Sequence, residues 1–182
     1  MKLLTLAVLL ALTVGGVNAQ SALKSSAQEV TADQVPQREK LKNDIIAKYL
    51  GIKQSLIVSD SVQAANAAAE FAAVLNQFKF KKLGLAEMNA ATAMRGKLKG
   101  LATSIAGTTS INKQRNYFME LSEGMWVIID RFVPEHVVLY EQKCPMTGKV
   151  WISDVKVIKN PYFPKNMLSC GEVTDTAGIA KP

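Results

Sequence analysis

The chain of 182 residues has two cysteines, one histidine and no Cys-x-x-Cys pair, and each scarcity removes a class of function. His136 is the sole histidine and no nucleophile–base–acid set stands out in the sequence, while a copper redox enzyme usually uses several histidines, so the chain does not read as an enzyme. Without Cys-x-x-Cys, the usual thiol oxidoreductase arrangement is missing. Three cysteine and histidine side chains are too few for a four-ligand structural zinc site. The net charge is +7, with clusters at Lys79, Lys81, Lys82 and at Arg95, Lys97, Lys99. A nucleic-acid surface is not expected on a chain with an export signal, and these cations, at the ends or solvent faces of the predicted helices, read as a solvated face.

Long apolar runs are also lacking beyond the N-terminus. Lys2, the apolar stretch Leu3–Val14 and the small residues ending at Val17-Asn18-Ala19 have the three-part layout of a secretory signal, with cleavage expected after Ala19. The stretch falls short of the ~20 residues of a membrane helix, so no stable membrane insertion is expected after cleavage. No cysteine sits at the cleavage point to take a lipid. The expected location is the periplasm or beyond. Residues 20–35 are small and polar without period and read as a flexible leader.

From Pro36 the pattern becomes helical. Leu41, Ile45, Tyr49, Ile52 and Leu56 form one stripe, and Ala64, Ala68, Phe71, Leu75 and Phe78 form a second after the capping run Ser59-Asp60-Ser61. A third joins Met88, Ala91, Met94, Leu98, Leu101 and Ile105 and breaks at Gly107-Thr108-Thr109-Ser110. The fourth, Ile111, Phe118, Leu121, Met125, Ile128 and Phe132, runs to about Arg131 and closes at Pro134. Four stripes with short connections predict a mainly α fold, an antiparallel up-down four-helix bundle. From about residue 137 the composition turns β-branched and aromatic: 137–142 and 150–152 predict a small C-terminal β-hairpin around Cys144-Pro145-Met146-Thr147-Gly148. Asn160-Pro161-Tyr162-Phe163-Pro164 predicts a rigid loop. The single domain is expected to span 36–173, with 174–182 as a flexible tail.

The chemistry concentrates in that C-terminal part. Cys144 and Cys170 each have a methionine nearby, Met146 and Met167, and together these offer at most four sulfur donors. Soft thiolate and thioether sets select copper(I), whereas two cysteines in an exported chain commonly form a disulfide, which for a loop of this size stabilises by roughly 3 to 4 kcal/mol. Residue chemistry alone favours the disulfide. His136 is a further metal-ligand candidate, while Met88, Met94, Met119 and Met125 suit a core and require no metal.

Leu139-Tyr140-x-x-x-Cys144-Pro145-Met146, Gly148-x-x-Trp151-x-Ser153, Ile158-x-Asn160-Pro161-Tyr162-Phe163 and Met167-x-x-Cys170-Gly171, together with Gln114-Arg115-x-x-Phe118-x-x-Leu121-Ser122, resemble an exported bacterial family, the domain of unknown function numbered three-three-four-seven. The resemblance runs from about Lys40 to Val173. It implies kinship with a domain attached to periplasmic adaptors of heavy-metal efflux pumps and a copper-handling context. By that resemblance the metal-site candidates are Cys144, Met146, Met167 and Cys170, then His136, with copper(I) as the ion and efflux components as partners. Where many relatives carry a histidine before the first cysteine, this chain has Lys143. The expectation is thus a periplasmic copper(I)-binding protein, a metallochaperone or efflux accessory, with a disulfide-stabilised interaction module as the alternative.

Overall fold

In the computed structural model, residues 34–178 are described. The signal segment 1–19 lies outside them, as do all but the last two residues of the 20–35 leader. Four helices follow in order: α1 Gln34–Ile57, α2 Ser61–Gln77, α3 Leu85–Ala106 and α4 Ile111–Val127, the last followed by a 3-10 turn, Ile129–Arg131. Each apolar stripe explains its helix. Ile45, Tyr49, Ile52 and Leu56 of α1, Ala64, Ala68, Phe71 and Leu75 of α2, Leu98 and Ile105 of α3, and Phe118, Leu121 and Met125 of α4 are all buried in one core. Pro36 sits in the first turn of α1, where its missing N–H leaves no bond unmade.

Local signals set the boundaries. Asp60 caps α2, its carboxylate accepting from Val62 N–H at 3.1 Å and Gln63 N–H at 2.9 Å, while Ser59 turns the chain with φ 59°. Glu87 reaches back to the Gly84 N–H at 3.2 Å and fixes the start of α3. Between α3 and α4, the buried Gln114 amide donates to Ser61 O and Thr108 O, both at 2.8 Å, which ties the turn to α2.

Each helix packs mainly on its neighbours in the chain, and α1 meets α4 only sparsely. That seam is filled by the C-terminal segment, a three-stranded antiparallel sheet of β1 Leu139–Lys143, β2 Val150–Ser153 and β3 Glu172–Ala177 in the order β2-β1-β3. β3 departs from the sequence reading, which put residues 174–182 in a flexible tail; residues 174–177 belong to β3. Its side chains are exposed except Ala177, so the strand is held by its backbone ladder to β1 rather than by an apolar pattern. The register slips between Glu141 and Gln142, leaving Thr174 as a bulge whose hydroxyl bonds the Glu141 carboxylate at 2.7 Å.

A buried relay helps join the sheet to the bundle. Ile152 N–H of β2 donates to the Tyr49 hydroxyl at 2.9 Å; Tyr49 pairs with Ser122 Oγ at 2.7 Å; Ser122 donates in turn to Phe118 O at 2.8 Å. Burial raises the Tyr49 pKa above its ordinary value, so the phenol stays protonated and can donate. Beside it, Lys53 is almost wholly buried and donates to Ser153 Oγ at 2.9 Å, and desolvation lowers its pKa. An aromatic chain continues the junction: Tyr49 stacks on Phe118 with centroids 5.2 Å apart, Phe118 tilts onto Tyr162 at 6.0 Å, and Tyr162 meets Trp151 edge-on at 6.1 Å. Tyr49→Phe strands the Ile152 N–H without its acceptor and is expected to cost about 1–3 kcal/mol, read as a lower urea midpoint with an unchanged m-value.

Candidate functional site: a cysteine pair between two strand ends

Cys144 follows β1 and Cys170 precedes β3. Because β1 and β3 run antiparallel with Lys143 opposite Glu172, the next step outward sets Cys144 beside the Cys170-Gly171 turn. The two sulfurs lie 2.7 Å apart, with Cys144 buried and Cys170 half-buried. The pair is thus made by strand register across the sheet and needs no Cys-x-x-Cys spacing.

The hairpin loop shapes one half of the site. Cys144 N–H donates to Lys149 O at 3.0 Å, Gly148 N–H returns to Cys144 O at 2.8 Å, and Gly148 takes φ 70°, a conformation glycine adopts without strain. This folds the turn back over its own first residue. The Thr147 hydroxyl and the N–H groups of Met146 and Thr147 come close enough to the Cys144 sulfur to favour its charged form. Burial works against its ionisation, but the Cys170 thiol and these donors outweigh burial and hold its pKa below the ordinary thiol value. Cys170 moves the other way: its hydrogen bond to Cys144, then desolvation and repulsion by the Cys144 charge, push its pKa up.

The proline-rich loop shapes the other half. Buried Asn160 accepts Tyr162 N–H at 2.9 Å and Phe163 N–H at 3.3 Å, an Asx-type turn, while its amide donates to Cys170 O at 3.2 Å and its own N–H to Leu168 O at 2.8 Å. One side chain thereby closes the loop from 160 to 170. Arg115 of α4 ties this loop to the bundle, its Nε donating to Pro161 O at 2.9 Å and its Nη2 to Leu56 O at 2.9 Å and Ser59 Oγ at 2.8 Å. Beneath the pair, the Trp151 indole N–H donates to Gln142 Oε1 at 2.6 Å, and the Gln142 amide to Val155 O at 2.8 Å.

Of the sequence candidates, Cys144 and Cys170 meet. Met146 and Met167 flank them: the Met146 N–H reaches both sulfurs, the Met146 side chain is 76% exposed, and Met167 O accepts the Cys170 N–H at 3.0 Å. His136 stands apart from the pair, which takes it out of the expected ligand set. It precedes β1 whereas Cys144 follows it, so a five-residue strand separates them, about 17 Å at roughly 3.4 Å per residue. His136 instead makes an exposed turn at φ 62°. Among the described residues no three histidine, cysteine or carboxylate side chains converge, so the donors at the pair are the two cysteine sulfurs, with Met146 and Met167 close by in the chain. The methionines read as packing residues do pack: Met125 is buried and Met88, Met94 and Met119 lie against the core. Thr147 was not singled out by the sequence reading; its place two residues after the proline of a Cys-Pro turn was the available signal.

A helical bundle whose α1–α4 seam carries a small sheet with a dithiol at its edge is the class of protein that fold and site define. The chain belongs to the family described as protein of unknown function (DUF3347), whose profile matches residues 45–136, half of its length. The matched stretch ends at His136, before the sheet and both cysteines, and it contains Tyr49, Arg115 and Ser122, which receive the C-terminal segment. Neither the curated proteins nor the solved structures contain a match. Among the described residues no helix is long and apolar enough to cross a membrane.

Gly171 passes directly over Trp151: a Cβ there would fall 2.8 Å from Trp151 Cη2 and 2.9 Å from Ile158 Cγ2. Gly171→Ala therefore forces the strand end off the ring, with an expected cost of about 1–3 kcal/mol, and opens the pair. The check is faster alkylation of Cys144 in the folded variant than in the parent protein.

Proposed function

We propose that this is an exported copper(I)-binding protein, a metallochaperone or an accessory to heavy-metal efflux, whose reduced Cys144 and Cys170 carry the ion as cargo. The observation that carries the reading is the meeting of the two cysteine sulfurs, 2.7 Å apart, at the ends of two paired strands. Thiolates flanked by the thioethers of Met146 and Met167 suit a soft ion, and neutral thioethers suit release. Export rests on the pattern of residues 1–19. At metal–sulfur bonds of about 2.3 Å, the zinc–thiolate value, two sulfurs on one ion stand roughly 3.5–4 Å apart. The pair must therefore open, and Cys170, half-buried on its loop, is the member placed to move. In this reading the bundle is scaffold and the activity is binding rather than catalysis.

A second reading is a disulfide-stapled interaction module, favoured by the same closeness of the sulfurs. Joined, they would tie the end of the central strand to the start of the edge strand and fix the bulged register.

Titration of the reduced mature protein with copper(I) against a competing chelator is expected to show one ion per chain. Cys144→Ser should abolish binding, and Met146→Leu should weaken it about tenfold, or ~1.4 kcal/mol. A parent protein that fails to compete with a weak chelator refutes the copper reading. Thiol counting on unfolded protein prepared without reductant tests the staple, since two reactive thiols show that none had formed.

A further inference from the structure

The two cysteines are unlike in a way that metal binding does not use. Cys144 has no solvent-accessible surface, its sulfur lies 2.7 Å from that of Cys170, and the turn after it folds back on it, with Thr147 N–H and Gly148 N–H donating to its carbonyl oxygen at 3.3 and 2.8 Å. Cys170 is half-buried and follows a loop whose side chains at Leu168 and Ser169 are exposed. Thiol–disulfide exchange depends on which sulfur can be reached and which can depart with the electron pair. We propose that the pair is a polarised thiol–disulfide exchange site, at which small or protein thiols and disulfides enter at Cys170 while Cys144 departs and returns.

The bonds balance as follows. An external thiolate attacks the Cys170 sulfur of the disulfide form, the one solvent reaches; a bond forms between the two, the Cys144–Cys170 bond breaks, and its electron pair goes to Cys144, which stays in place under the turn. A second thiolate attacks the external sulfur of this mixed disulfide, releases the external pair as a disulfide, and leaves Cys170, which takes a proton from water. Two external thiols are oxidised and the protein disulfide is reduced by two electrons. The reverse path uses the same intermediate: Cys170 attacks an external disulfide and expels one thiolate, then Cys144 attacks Cys170 and expels the other.

This deepens the dithiol reading of the same site and holds with or without copper. It also explains the use of Thr147, which lies outside the candidate sulfur ligands, and of a turn folded over one sulfur only.

The test traps the intermediate. Oxidised mature protein is mixed with glutathione, quenched in acid, alkylated with N-ethylmaleimide and cut with trypsin, which places the cysteines on separate peptides through Lys143, Lys149 and Lys165. Glutathione is expected on Cys170 and maleimide on Cys144 by about ten to one or more, given the difference in access. An even split, or an adduct mainly on Cys144, overturns the proposal. Single-cysteine proteins check it without the trap: Cys144→Ser should react with glutathione disulfide roughly tenfold faster than Cys170→Ser, and the opposite order overturns it. Thr147→Val should slow reduction of the disulfide several-fold, with Thr147→Ser restoring it; a Val variant as fast as the parent overturns the role of the turn. If excess glutathione disulfide leaves two free thiols, exchange fails outright. A failed copper titration leaves these outcomes untouched, so the two readings fall separately.

Discussion

One phenolic hydroxyl joins the two parts of this molecule. Tyr49 lies on α1, its hydrogen-bond partners lie on α4 and β2, and the oxygen has no water to turn to. A buried hydroxyl without partners costs a few kcal/mol, so the relay from Ile152 through Tyr49 and Ser122 to Phe118 is satisfied only when bundle and sheet are docked together. That makes the junction cooperative. The helices alone would leave Tyr49 half-paired, and the sheet alone has too few apolar residues to stand by itself.

What the junction positions is the cysteine pair. From Tyr49 the aromatic chain leads through Phe118 and Tyr162 to Trp151, and Gly171 lies against that indole ring. Arg115 braces the same loop from α4, and Asn160 closes it. Each brace ends on a backbone carbonyl or N–H rather than on a sulfur. The bundle therefore fixes the path of the chain and leaves the sulfur chemistry to the hairpin turn.

The helices were legible because their burial is periodic: Ile45, Tyr49 and Ile52, or Phe118, Leu121 and Met125, mark a core-facing stripe that few other folds would produce. β3 was not legible, because Glu172, Val173, Thr174, Asp175 and Thr176 are exposed and carry no alternation, and its strand character comes from pairing with β1. Missing that strand hid the reason the site exists, since the β1–β3 register is what sets Cys144 against Cys170. His136 failed as a ligand for a related reason: proximity in sequence to Cys144 becomes distance once the residues between them extend into a strand. Asn160 was visible as part of a motif, yet its role as a clamp depends on Leu168 and Cys170, which only the folded loop brings near.

The relay also bears on the order in which the chain is built. Tyr49 and Ile152 are 103 residues apart, and contacts so distant in sequence are slow to close because the loop entropy is spent before any contact rewards it. The helices connect through short turns and can assemble early, whereas the sheet must wait for the distant segment 139–177 to dock. Through that interval the two thiols have no strand register to hold them together. Their pairing follows from the docking of β3 on β1 and comes after the helices have given the sheet something to dock against.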